Sequence, residues 1–170
     1  MNFSELVQKR YSVRAYKPEA VESDKLETVL EAARQAPTAA NRQPIQFVVI
    51  HTAGRQEELK RIYPRDWFVQ APLVICACKV SAQGWVRRQD SKNYSEVDIA
   101  IAMDHLILAA ADLGLGTCWI GAFEPEVTRE ILGLPADVEP IAFTPLGYPG
   151  DELKPKKRKT LAEIVHYERW

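Results

Sequence analysis

Two short segments carry side chains whose types and spacing fit ligand chemistry. Arg10-Tyr11-Ser12-Val13-Arg14 sets two permanent cations on either side of a hydroxyl. That set suits a phosphate monoester, which guanidinium groups grip through paired donors. Taken alone, the segment fits a solvated helix end just as well. Ala36-Pro37-Thr38-Ala39-Ala40-Asn41-Arg42-Gln43-Pro44 is bounded by prolines and holds Thr38, Asn41 and Gln43. Neutral donors and acceptors can be desolvated at tolerable cost and still fix orientation, as a flat polar heterocycle requires. Together the two segments point to a ligand with an anionic end and a heterocyclic end.

Near the C-terminus, Lys154-Pro155-Lys156-Lys157-Arg158-Lys159 allows two readings. It is a solvated charge run, or Lys156 and Arg158, two apart on an extended chain, reach one phosphate together. No aromatics interleave with these charges, so a nucleic-acid patch is not expected. Gly114-Leu115-Gly116-Thr117-Cys118-Trp119-Ile120-Gly121 follows a helix and leads into a strand, the reverse of a dinucleotide fingerprint. Glycine there ends the helix and, at Gly121, lets backbone approach a ligand. Trp119 reads as core, with ligand stacking the alternative. Cys76 and Cys78 share one face of a buried strand and read as small hydrophobes. His51, His105 and His166 are scattered, so neither a metal site nor a catalytic triad is expected.

These groups need a scaffold, and hydrophobic periodicity supplies one. Residues 3–9 read as a short helix. Ser23 is placed to cap the next helix, whose apolar stripe is Leu26, Val29, Leu30 and Ala33, with Pro37 stopping it. Strands are expected over 46–51, 73–80 and 140–146, with helices near 54–62, 97–113 and 125–132. The helix over 97–113 is apolar on a wide surface and rich in alanine, so it is expected to be central and shared with a second subunit. Residues 80–95 are expected to be an exposed loop, either an ordinary one or a substrate lid carrying Trp85 and Tyr94.

With 170 residues, 46% of them hydrophobic, and a net charge of −1, the chain is expected to be one domain, 1–170, without the basic excess of general nucleic-acid binders. No stretch approaches the length of a membrane span, and the N-terminus is no signal peptide, which makes a cytoplasmic location the expectation.

The four clusters, in this order and at these separations, make the chain resemble the nitroreductase family of flavoproteins over essentially its whole length. The matching parts are Arg10–Arg14, Ala36–Pro44, Gly114–Gly121 and Lys156-Lys157-Arg158. The resemblance implies an α+β fold, with a central, mostly antiparallel sheet surrounded by helices, built as an intertwined homodimer with FMN at the subunit interface. It assigns Arg10, Tyr11, Ser12, Arg14, Lys156 and Arg158 to the phosphate and the polar edge of the flavin. Pro37, Thr38, Asn41 and Gln43 match the segment that approaches the flavin of the partner subunit, and Ile120-Gly121 the backbone near its N5 side. The implied activity is ping-pong hydride transfer from NADH or NADPH to an electron-poor acceptor such as a nitroaromatic or quinone, with no catalytic side chain of its own. Specialised flavin chemistry such as dehalogenation, or flavin binding without catalysis, are the alternatives. This is a short member, in which Tyr63, Trp67 and Phe68 are expected to form an aromatic wall.

Overall fold

A computed structural model describes all residues 1–170. Helix α1 (Phe3–Lys9) opens on a reciprocal cap between Asn2 and Glu5 and runs into the extended segment at Arg10. Helix α2 (Ser23–Arg34) begins one residue earlier than the capping serine predicts. Its N-cap is Glu22, with no side-chain cap, and Ser23 lies inside the first turn. Strand β1 (Ile45–His51) leads to α3 (Gln56–Lys60) and α4 (Asp66–Gln70). The helix expected near 54–62 is shorter, Ile62 is buried in the link that follows it, and α4 is a further short helix that the sequence reading did not include.

Strand β2 (Leu73–Val80) occupies the expected span. The expected loop after it is a hairpin, β3 (Val86–Arg87) with β4 (Lys92–Asn93), that packs Trp85 edge-on against Tyr94. Helix α5 (Ser95–Asp112) follows, then β5 (Gly116–Thr117), α6 (Pro125–Leu132) and β6 (Val138–Gly147). Gly114, at φ +77°, closes α5, and the two N–H groups after the helix turn back onto Ala111 and Ala110 carbonyls.

The sheet runs β1-β2-β6-β5, every neighbouring pair antiparallel. Both faces of β2 are covered, so it is apolar throughout rather than alternating. Leu73, Ile75 and Ala77 meet Ile99, Met103 and Leu106 of α5 and Val29 of α2. Val74, Cys76 and Cys78 face Leu59, Ile62, Phe68 and Phe143 in a second core. The cysteines are core groups, as expected, with Sγ atoms 3.5 Å apart. The result is an α+β fold with an antiparallel sheet between helical layers. No helix is long and apolar enough to cross a membrane. The outer flank of α5 leaves Val97, Ala100 and Asp104 exposed and Ile101 and Leu108 half-buried.

Candidate functional site

The segment from Tyr11 to Lys17 is extended and held on both sides. Ser12 pairs with Thr117 of β5, and the Val13 N–H donates to the Thr117 carbonyl at 2.9 Å. On the other side, the chain leaving β6 lies against it: Lys17 N–H to Tyr148 O at 2.9 Å, Gly150 N–H to Ala15 O at 2.7 Å, and Tyr11 Oη to Asp151 O at 2.7 Å. The Tyr11 hydroxyl is thus a donor to backbone, and burial, then Asp151, raises its pKa. The Asp151 carboxylate accepts the Arg14 N–H at 2.9 Å.

Gly116 makes this clasp possible. A Cβ there would stand 2.6 Å from Cγ2 of Val13, which is buried. Gly116→Ala is expected to cost about 1–3 kcal/mol by overpacking, read by urea unfolding. Adding Val13→Ala should return part of that loss, and a purely additive double mutant would show that the contact is not the cause.

The same clasp gathers charge. Lys156 Nζ donates to the carbonyls of Val7 (2.8 Å) and Gln8 (2.6 Å) at the end of α1. Its pKa is lowered by partial burial first, and then by Arg10 and Arg158. Arg158 Nη1 donates only to the Lys157 carbonyl. None of Arg10, Arg14, Lys156 and Arg158 takes part in an ion pair, although ten pairs form elsewhere. Three cations drawn together without a carboxylate repel one another, an arrangement an anion relieves.

Arg14 stands apart from that group. Its guanidinium lies 6.0 Å from the Trp67 ring centroid and lines a hollow with Tyr63, Pro64, Arg65, Asp66 and Trp67. Tyr63 meets both Trp67 (5.6 Å) and Phe68 (5.5 Å) edge-to-face, so the three expected aromatics do cluster, but only Tyr63 and Trp67 line the hollow. Phe68 is fully buried against Phe143, because α4 turns it inward onto the sheet.

Ile120 exchanges both backbone hydrogen bonds with Phe143 (2.8 and 2.9 Å), which fixes the turn that follows. At Gly121 an added Cβ would meet nothing, so open space, not a close protein approach, surrounds that backbone. Trp119, expected in the core, is 41% exposed beside it.

The neutral segment is elsewhere. Ala40, Asn41 and Gln43 have φ of 52°, 53° and 53°, three left-handed non-glycine residues in one turn, with Arg42 at −75° between the last two. Each such residue costs on the order of 1–2 kcal/mol, less for asparagine, and persists only where surroundings enforce it. Within the turn, Thr38 Oγ1 accepts the Gln43 N–H at 3.1 Å, and Gln43 Nε2 donates to the Asn41 carbonyl at 3.2 Å. The Asn41 and Gln43 residues are exposed, Pro37 is exposed, and Thr38 and Gln43 line a cavity of about 260 Å³ with Ala36 and Phe47.

Sheet register shows how far apart the two halves lie. Ile45, just after the neutral segment, pairs with Lys79, which pairs with Glu139 at the start of β6. Thr117 pairs with Leu146 at its far end, and Ser12 lies outside Thr117. From β1 to Ser12 is four strand spacings, roughly 19 Å, and Glu139 to Leu146 is roughly 23 Å along the strand. The halves therefore occupy diagonal corners, roughly 30 Å apart, so one chain does not bring them together.

Helical layers around an antiparallel sheet, with a group of unpaired cations at one corner, define an α+β protein. Comparison with known proteins places it further: the model of the Nitroreductase family matches residues 7–65 and 54–148, and the chain belongs to that family. A nitroreductase family protein from Clostridium difficile 630 superposes with a TM-score of 0.90 at 39% identity, over 100% of both chains. The FMN reductase [NAD(P)H] of Bacillus subtilis is 27% identical over 92% of this chain and 70% of its own. Iodotyrosine deiodinase 1 of Sus scrofa is 30% identical over 96% of this chain and 67% of its own.

Proposed function

We propose that the chain, residues 1–170 acting as one domain, is an FMN-dependent NAD(P)H oxidoreductase working as a homodimer. The observation that carries this is Lys156, held by the Val7 and Gln8 carbonyls beside the α1 C-cap Arg10, with Arg158 two residues on and none of the three in an ion pair. A phosphate monoester supplies the missing charge, and the Ser12 hydroxyl adds a neutral donor. Arg14, beside the Trp67 ring, stands where a cation favours negative charge on the polar edge of a heterocycle. The family's B. subtilis member is named for FMN and NAD(P)H, in keeping with that fit.

Bound FMN would supply the redox chemistry, taking hydride from NADH or NADPH and, after the nicotinamide leaves, passing it to an electron-poor acceptor such as a nitroaromatic or quinone. The chain's part is to bind, orient and shield. Thr38, Asn41 and Gln43 fix the heterocycle by neutral hydrogen bonds, and the Ile120-Gly121 backbone leaves its reacting face open. Diagonal corners become neighbours if a second copy brings its neutral segment to this copy's cations. The outer flank of α5 (exposed Val97 and Ala100, half-buried Ile101) and the exposed apolar tail (Leu161, Ile164, Tyr167, Trp170) offer the surface for that pairing.

Purified protein should be yellow, bleach when mixed anaerobically with NADH or NADPH, and turn over nitrofurazone or menadione. Colourless protein that refuses FMN overturns the reading. Arg158→Ala should weaken FMN binding by about 1.5–3 kcal/mol, the loss of a charged hydrogen bond, while Lys157→Ala changes little, as followed by flavin fluorescence. The resemblance to iodotyrosine deiodinase 1 supports a second reading, reductive dehalogenation. It gains if the flavin is reduced but neither acceptor turns over.

A further inference from the structure

Asp98 is the one carboxylate among the buried residues, 1% exposed on the first turns of α5. Its Oδ1 accepts the Ala39 N–H at 2.8 Å. Its Oδ2 is buried and has no partner, and no cation pairs with it. The Lys79 ammonium, which pairs with Glu96 on the same helix, is committed to that residue and to Glu139. Burying a carboxylate in an apolar helix face is costly, even where a helix N-terminus favours negative charge. Nothing in the packing of α5 requires it, since its neighbours on that face are Ile99, Ala102 and Met103.

The contact it makes is singular. The other hydrogen bonds of residues 38–43 stay within the turn, from Gln43 to Thr38 and Asn41 and from Asn41 and Arg42 back to Thr38 and Ala39. Only Asp98 ties that segment to another element. Ala39 immediately precedes the left-handed residues Ala40 and Asn41, and Gln43 beyond Arg42 is left-handed too, none of them a glycine. A conformation that alanine resists is thus anchored by one buried acceptor at its start.

We propose that Asp98 is a positioning residue for the cofactor: by holding the Ala39 N–H it fixes the left-handed turn and so the directions in which Asn41 and Gln43 present their amides. It touches no ligand itself. Its service is to orient neutral donors that would otherwise swing with an exposed turn. In part the inference rests on the FMN reading, because the orientation matters only if those amides meet a ligand.

The test compares the full-length protein with Asp98→Ala and Asp98→Asn, by hydrogen exchange of the Ala39 amide and by FMN titration. Asparagine keeps an acceptor at the Oδ1 position, and alanine does not. Asp98→Ala should lose Ala39 protection by about tenfold or more and bind FMN about tenfold more weakly, with helix content intact by circular dichroism. Asp98→Asn should stay within about threefold of the parent in both. Unchanged Ala39 protection in Asp98→Ala overturns the proposal. Equal losses in both variants overturn it too, because charge or general folding would then be the cause. If the parent takes up no FMN, the functional reading fails, and Ala39 exchange alone still decides whether Asp98 sets the turn.

Discussion

Ending the chain after Glu152 is expected to strip the protein of FMN and of its partner copy. Residues 153–170 belong to none of the hydrophobic cores, and Asp151, which clasps Tyr11 and Arg14, is retained. The sheet should therefore survive, with an unchanged far-ultraviolet dichroism spectrum. What goes is Lys156, Arg158 and a run of apolar groups that the isolated chain leaves in water: Leu161 at 75% exposure, Tyr167 at 85% and Trp170 at 101%. Two charge-assisted contacts at roughly 1.5–3 kcal/mol each make the loss of affinity about 100-fold or more. Light scattering at micromolar concentration should report a monomer. A truncated protein that remains yellow and dimeric contradicts both the phosphate assignment and the role given to the tail.

The second large effect lies in the core. Phe143→Ala should lower stability by about 3–5 kcal/mol, a large share of what an ordinary domain possesses. Phe143 is fully buried, with ring centroids of Phe68 and Phe123 at 5.8 and 5.0 Å, both edge-to-face. Removing the ring leaves two aromatics facing a void that short helices on that side cannot close. Urea unfolding should show a lower midpoint at an unchanged slope. A loss below about 1.5 kcal/mol would mean that the layer collapses to fill the space. The Ile120–Phe143 pairing is backbone to backbone, so the alanine variant should keep the turn at Gly121.

Much of this was legible in the order of residues. Apolar runs at 46–51 and 73–80 and the stripe of α5 announce themselves because burial on a fixed face imposes a period. Pro125 and Gly133 bracket α6 for backbone reasons that need no partner. Other features depend on contacts distant in sequence. The Glu22 carboxylate takes a hydrogen bond from Tyr148, so the start of α2 is set by a residue far along the chain, not by the cap chemistry of Ser23. The hairpin after β2 has strands of two residues each, too short for alternation to show, and is held by Arg87 with Asp90 and by Trp85 with Tyr94. Trp119 looked like core because its neighbours are apolar, yet the Ile120–Phe143 pairing turns it outward.

The ligand clusters were visible as residue types, but not their placement. Nothing in the sequence states that Arg10 and Asn41 lie at diagonal corners, because strand order is a property of the closed sheet. Asp98 was passed over, though a signal existed: an acid on the same helical face as Ile99, Ala102 and Met103 is out of keeping with its neighbours.

Diagonal corners have a consequence for inheritance. Under the proposed pairing, a copy damaged at Arg10 and Arg158 still lends a sound neutral turn, and one damaged at Asn41 and Gln43 still lends sound cations. Two defective alleles expressed together would then complement each other, each mixed dimer holding one whole site and one doubly broken one. With random assortment, about a quarter of all sites would be restored from two parents that have none.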